Sequence, residues 1–438
     1  MPPTPHPPKP IVRFALSCTI LLATASPSIG VETAHADNDV RRERLRGLGA
    51  RELSVLEPHA ANGLVALVEF ANTSEDKLPA INVMTMVDAS HQRVLTTVSQ
   101  PEKYPHFMNT LSRVAVVKRD ASATVYDWGW DMAVFRLGGR NIMRVYRDTT
   151  PEARRGHRVT VDNQSGDFGT GRMTIRILPR GRQSLLVLSL RLDLRRANYI
   201  ARQAAQAARS VNRSANMALG YTMLMSFKRR AEGKAVAGTL ANLAGPISRP
   251  AVDERSLWPL LARGDVVISH MRGDQLIQTS VFGRVEQKVG LVRHIMLDAE
   301  AFGSALLPGS SAEIVARRDN LTVFDWDIDI PVIGLAGRMQ LRDETPLVSV
   351  DALDGALSGG RWQFHTTPVG DTATLVSSWA NFDLRKSNWL LQRIVSADPF
   401  LSHGMNAAGE VMLLRALRSR ARKKAKQQAQ LTSTTKPG

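Results

Sequence analysis

The chain has 438 residues, 43% apolar and 22% charged, enough to build packed cores and too apolar for disorder to dominate. Lys and Arg number 57 against 40 Asp and Glu, a formal net charge of +17. Most of the basic residues are Arg, scattered along the chain apart from one C-terminal cluster, so the charge alone identifies no partner and no nucleic acid is expected. At roughly 100 to 200 residues per domain the length asks for two or three domains.

In chain order, the first feature is a leader. Lys9 and Arg13 precede an apolar run from Phe14 to Ala25, and a polar stretch then ends in Ala34-His35-Ala36, the small-x-small pattern cut by signal peptidase. Residues 1–36 are expected to be a signal peptide cleaved near Ala36, and the mature chain to be secreted or periplasmic. A lipid-modified Cys18 is the competing reading, but Ala15-Leu16-Ser17-Cys18 fits a lipoprotein pattern poorly. Cys18 is the only cysteine, so the mature chain is expected to hold no disulfide and no thiolate site. No later run reaches the roughly 18 uninterrupted apolar residues of a membrane span. Residues 37–62 read as a charged helical segment with no assigned role.

The main organising feature is a long internal repeat. VYDWGWDMAVFRLGGR (125–140) matches VFDWDIDIPVIGLAGR (323–338) without a gap, GRMTIRILPRG (171–181) matches GRWQFHTTPVG (360–370), and LDLRRANYI (192–200) matches FDLRKSNWL (382–390). The spacing is that of a duplicated domain and far too long for a solenoid. The first copy opens with an alternating run, INVMTMVD (81–88), followed by a stretch with a Pro-marked break at 91–108 that predicts two short helices. Strands are predicted at 113–118, 124–135, 141–147, 157–163, 171–178 and 184–194, separated by Gly, Pro and Asp turn chemistry. From Ala197 to Arg230 the apolar period becomes helical, with no Pro. In the second copy Asp398-Pro399 is expected to break the final helix, Asp398 capping the segment that restarts. Domain boundaries follow at 63–230 and 262–426, with a linker at 231–261 and a disordered tail at 427–438.

These residues resemble a family. The order of elements, the stretch Gln100-Pro101-Glu102-Lys103-Tyr104-Pro105-His106-Phe107, and Gly360-x-Trp362-x-Phe364 are similar to the coenzyme Q-binding and polyketide cyclase branch of START-like proteins. The family pattern Asp-x-Glu-x-Tyr-Pro-x-Phe has Gln100 for the Asp here, and Asp298-x-Glu300-x-Phe302 then Leu307-Pro308-Gly309 in the second copy. The resemblance implies an α+β chain of two tandem helix-grip domains, each a curved antiparallel sheet wrapped around a long C-terminal helix and enclosing an apolar cavity. It also implies a hydrophobic small molecule as partner, a lipid, quinone or polyketide, and no cofactor.

Side-chain alternation places candidate residues on faces. Tyr126, Trp128, Trp130 and Met132 project to one side of their strand and Asp127, Gly129 and Asp131 to the other; Phe324, Trp326, Ile328 and Ile330 oppose Asp325, Asp327 and Asp329. The candidate ligand-binding residues are Tyr104, Phe107, Trp128, Trp130, Met223, Phe302, Trp326 and Trp362, each of which competes with a plain role in the core. If the aspartates instead face the cavity, Asp127, Asp131, Asp325 and Asp329 become candidate acids and bases of a cyclase or aromatase; the alternative places them on a wet outer face beside Arg. The His residues stand as singletons with no metal-binding spacing, and no metal is expected. Gly166-Asp167-Phe168-Gly169-Thr170-Gly171 reads as a turn and not as a phosphate loop. Arg415, Arg418, Arg422, Lys423 and Lys424 form a basic cluster that could meet an anionic membrane surface. Three readings follow: a non-catalytic carrier, a cyclase, and an interaction module that works through its basic tail.

Overall fold

The computed structural model describes residues 45–70, 80–131, 136–153, 155–169, 171–194, 202, 209–235, 245–304, 309–330 and 333–434. The expected signal peptide, the start of the helix expected from Ala197, and the side chains of Phe302 and Asp329 lie outside them. The first copy runs α1 (Ala50–Ala60), β1 (Gly63–Glu69), β2 (Ile81–Val87), α2 (His91–Ser99) and a 3-10 turn (Pro101–His106). It continues through β3 (Leu111–Arg119), β4 (Thr124–Asp131), β5 (Arg136–Arg147), β6 (His157–Gly166), β7 (Arg172–Arg180) and β8 (Gln183–Arg191) to the long helix α3 (Arg209–Ala231). The second copy repeats the order: α4 (Glu254–Leu261), β9 (Gly264–Arg272), β10 (Gln275–Val285), α5 (Val289–Leu297) and α6 (Ala299–Gly303). It goes on with β11 (Ser310–Arg318), β12 (Leu321–Ile330), β13 (Ile333–Glu344), β14 (Leu347–Ala352), β15 (Arg361–Val369) and β16 (Ala373–Asn381), and ends in α7 (Trp389–Ala397) and α8 (Pro399–Thr434). The class is α+β.

The strands form one 16-stranded antiparallel sheet, ordered β3-β4-β5-β6-β7-β8-β2-β1-β9-β10-β16-β15-β14-β13-β12-β11. The order mirrors itself about the β1/β9 pair. There Gly63 faces His270 and Glu69 faces Gly264, with Ala66 opposite Val267 at the centre. A Cβ on Gly63 would sit 2.0 Å from the Ser269 carbonyl oxygen and one on Gly264 2.5 Å from that of Val68, so both ends of this seam need glycine. The two copies thus share one sheet edge to edge.

The seam explains two elements that sequence reading left out. On one face α1 and α4 bury Leu53, Leu56, Leu257, Leu260 and Leu261 against Val65, Leu67, Val266 and Ile268; on the other face Leu64, Ala66 and Val267 join the core beneath α3 and α8. A strand covered on both faces reads as an unbroken apolar run and loses its alternation. The stretch assigned to a linker therefore contains α4, and the role left open for residues 37–62 belongs in part to α1. A signal was available in Leu56-x-Pro58 ending at Gly63 and Leu257-x-Pro259 ending at Gly264.

At the far end the break at Asp398-Pro399 separates α7 from α8, and the Asp398 carboxylate accepts a hydrogen bond from the Phe400 N–H at 2.9 Å. Helix α8 then continues through Thr434, well into the stretch expected to be a disordered tail. No described helix is long and apolar enough to cross a membrane.

Candidate functional site

The alternation read in β4 and β12 is the alternation observed. Tyr126, Trp128 and Trp130 are buried in the core that lies under the long helices, as are Phe324 and Trp326. Phe168 stacks on Trp128 at 4.6 Å between ring centres, and Phe382 stacks on Trp362 at 5.3 Å. Tyr104 and Phe107 pack on Phe227 of α3, with ring centres 5.3 and 6.1 Å away, and Met223 is buried on the same helix. The structure therefore gathers Tyr104, Phe107, Trp128, Trp130 and Met223 in the first copy, and Trp326 and Trp362 in the second, between sheet and helix. Burial pushes the Tyr104 phenol well above its ordinary value and that of Tyr126 up to about 12, so both stay protonated, Tyr126 accepting from the Asn141 amide. The Tyr104 hydroxyl donates to the Val98 carbonyl, which fixes the 3-10 turn against α2.

The indole N–H groups divide into two kinds. Trp130 donates to the Thr110 hydroxyl, and Trp379 donates to the Gln363 amide oxygen at 2.8 Å. Trp128, Trp326 and Trp362 are buried with no acceptor of proper geometry for their N–H. Trp128 and Trp326 are the same position in the two copies, so the deficit is repeated. A buried donor left without an acceptor costs about 1 to 3 kcal/mol, which makes a repeated orphan informative.

Asparagines that sequence reading passed over hold each long helix to its sheet. The Asn216 amide oxygen accepts from the Leu192 N–H at 2.7 Å and its NH2 donates to the Leu192 carbonyl at 2.9 Å. Asn406 makes the same pair of bonds to Phe382, at 3.1 and 2.8 Å. The matched stretches at 192–200 and 382–390 pointed to the strand side of this contact; the helix side has one matched Asn in each copy amid dissimilar neighbours, and in the first copy Asn212 adds a bond from the Leu194 N–H.

The second copy holds a buried acid that the first lacks. One helical turn beyond Asn406, Glu410 is fully buried and accepts a hydrogen bond from the Ser378 hydroxyl, while its other oxygen has no partner. Burial pushes this carboxyl up to about 7; the Ser378 hydroxyl and the nearby Trp362 indole offset part of that push. The equivalent residue of α3 is Gly220.

Asp127 and Asp325 do not face the core beneath the long helices. Asp127 is bound by Arg140 at 2.7 and 3.0 Å, and Asp325 by Arg338 at the same two distances, which is one ion pair written twice across β4/β5 and β12/β13. Their side chains are 31% and 49% exposed on the opposite side from the Trp row, and the Arg bonds hold both carboxyls below the usual range. Asp131 pairs with Arg136 at 3.2 Å. Asp127 and Asp325 thus lie on the outer face beside Arg, where the wet-face alternative put them, and Asp131 is engaged by Arg136.

The basic cluster is also divided. Arg418 turns inward and grips the fully buried Asp265 of β9 at 2.6 and 3.3 Å, and Arg415, also largely buried, lies 3.8 Å from the same carboxylate. These two are therefore not available to a membrane surface: a buried carboxylate needs a cation, and they supply it. Arg422 and Lys423 remain exposed and Lys424 half-buried.

A cleft of about 540 Å³ opens at the surface between α2, the 3-10 turn and the end of α3. Arg93, Lys103 and Arg230 line it together with Thr96, Gln100 and one edge of Phe107. The Arg230 guanidinium lies 5.9 Å above the Phe107 ring. Among the described residues, no group of three or more His, Cys, Asp or Glu converges in a way that could hold a metal ion.

No family model and no curated protein matches the chain. Solved structures do. The chain resembles START-superfamily proteins. One is a START superfamily protein from Mycobacterium smegmatis, 18% identical over 35% of this chain and 97% of that one, with a TM-score of 0.28. Another is the di-domain ARO/CYC StfQ from the steffimycin biosynthetic pathway, 13% identical over 78% of this chain and 99% of that one, with a TM-score of 0.28. Human STARD10 is 9% identical over 44% of this chain and 84% of its own, with a TM-score of 0.31. At these scores the START-like resemblance carries no conclusion about what this chain binds.

Proposed function

We propose that the chain is a non-catalytic binding or carrier protein for a hydrophobic small molecule, held between the sheet and the long helix in one or both of two tandem helix-grip shells. The observation that carries this reading is the pair of buried, acceptor-less indole N–H groups of Trp128 and Trp326, the same position in the two copies, set among aromatic and aliphatic side chains under α3 and α8. A mostly apolar guest with a carbonyl or ether oxygen would meet those donors while its carbon skeleton leaves water at about 25 cal/mol per Å². Trp128 and Trp362 are each in contact with a ring that such a guest would slide against, Phe168 in one copy and Phe382 in the other. With the leader read at residues 1–36, binding would take place in the periplasm or outside the cell. The exposed Arg422 and Lys423 support a further step in which the end of α8 rests on an anionic membrane during exchange, at about 1 kcal/mol per basic residue.

The test is extraction. Organic extracts of the purified chain, analysed by mass spectrometry before and after incubation with a panel of lipids and quinones, are expected to contain a bound apolar compound at up to two molecules per chain. Extracts free of any such compound, both as purified and after the panel, would contradict the reading.

A further inference from the structure

We infer that the cleft between α2, the 3-10 turn and the end of α3 binds a phosphate group, either free or as the head of an amphiphile. Three cations meet there, Arg93, Lys103 and Arg230, and none of the described residues that line the cleft is acidic. Two carboxylates adjacent in sequence to cleft residues are engaged elsewhere. Glu102 is bound by Arg119, and Glu232 by Lys228, Lys234 and the Asp88 N–H. Like charges gathered in a concave surface repel one another unless an anion joins them, and two guanidiniums with an ammonium suit the oxygens of a phosphate. The Thr96 hydroxyl and Gln100 amide add neutral donors.

The fold itself does not need two of these cations, Arg93 and Lys103. Helix α5 of the second copy has the same length and place as α2, with Lys288 at its N-cap where α2 has Ser90. Counting from those caps, Leu291 stands where α2 has Arg93, and Ala301 where the 3-10 turn has Lys103. The volume of about 540 Å³ exceeds what a bare phosphate fills and leaves room for the glycerol or sugar that carries it. The end of α3 is shaped around one of the cations: Gly233 has a φ of +76°, and a Cβ there would lie 2.6 Å from the Arg93 guanidinium.

The experiment is calorimetric titration of the full chain with inorganic phosphate, with dioctanoylphosphatidic acid below its micelle concentration, and with uncharged dioctanoylglycerol. The two anions are expected to bind at least tenfold more tightly than the glyceride, more weakly in 500 mM than in 50 mM salt, and at least tenfold more weakly to the triple variant Arg93→Gln, Lys103→Gln, Arg230→Gln. All three side chains are exposed, so the variant is expected to keep its melting temperature; Arg93→Leu, which copies the second copy's Leu291, repeats the test with a single change. Equal binding of both phosphates assigns the site to the free anion, and binding of phosphatidic acid alone assigns it to a head group; either upholds a phosphate site. Anions that bind no better than the glyceride, or bind the variants as they bind the parent, overturn it. The site stands apart from the interior: the triple variant is expected to yield the same extracted apolar compound as the parent.

Discussion

Arg418→Met is expected to destabilise the fold by about 3 to 5 kcal/mol, because it leaves the Asp265 carboxylate fully buried with only Arg415, 3.8 Å away, to compensate it. Arg418 does more than pair with Asp265. Its Nε donates to the Arg284 carbonyl at 2.9 Å, and its guanidinium lies 4.8 Å above the Phe70 ring, so one side chain ties α8 to β9, β10 and the chain beyond β1. The first copy shows how the site is built without the buried carboxylate: Lys228, in the place of Arg418, bonds the Met86 carbonyl and Glu232. Leu64 occupies the place of Asp265 in β1, next to the shared Gly63/Gly264 position. The double variant Asp265→Leu, Arg418→Met is therefore expected to recover at least half of the loss. Urea unfolding followed by circular dichroism measures both. Single variants as stable as the parent, or a double variant no better than Arg418→Met, would contradict the account of this pair.

The second large effect depends on pH. The Glu410 carboxyl, pushed up to about 7 by burial, keeps its proton in the folded chain at pH values where the unfolded chain, with an ordinary value of 4.5, has lost it. Stability is then undiminished below about pH 4.5, falls as pH rises through the interval to about 7, and is flat above it, the whole step amounting to about 3 kcal/mol. Asp398, raised to about 6, acts in the same direction. His270 and His403, whose burial lowers them to about 4, act in the opposite one, because folding excludes their proton. The readout is therefore the difference between the parent and Glu410→Gln, which keeps an oxygen for the Ser378 hydroxyl. The glutamine has no carboxyl to ionise, so the variant is expected to match the parent near pH 4.5 and to be more stable by about 3 kcal/mol at pH 8. Parallel stability curves from pH 4.5 to 8 would show that this carboxyl does not carry the effect.

What could be read beforehand depended on how far apart the interacting residues are. The Trp and Asp rows of β4 and β12 were legible because a half-buried strand writes its two faces in alternate letters, and the duplication wrote them twice. The Asp398-Pro399 break was legible because capping is settled within a few residues. Strands β1 and β9 were not, since burial on both sides removes the alternation that marks a strand. The inward turn of Arg418 was hidden because its partner lies 153 residues away, and without that partner Arg415 and Arg418 look like the rest of a basic tail. Glu410 gave no sign for a similar reason: a glutamate on a helix is ordinary until the sheet that covers it is known. The phosphate cleft joins Arg93 to Arg230, brought together only when α3 returns across α2.

The claim at the centre is that an apolar guest lies against Trp128 and Trp326. Intrinsic fluorescence during titration with a short-chain benzoquinone, a ring with two carbonyl acceptors and an efficient quencher of indole emission, tests it most directly. Saturable quenching is expected in the parent, with a smaller saturating amplitude in Trp128→Phe and Trp326→Phe than the loss of one emitter explains. Quenching that rises linearly without saturation, and is the same in both variants, would contradict the claim.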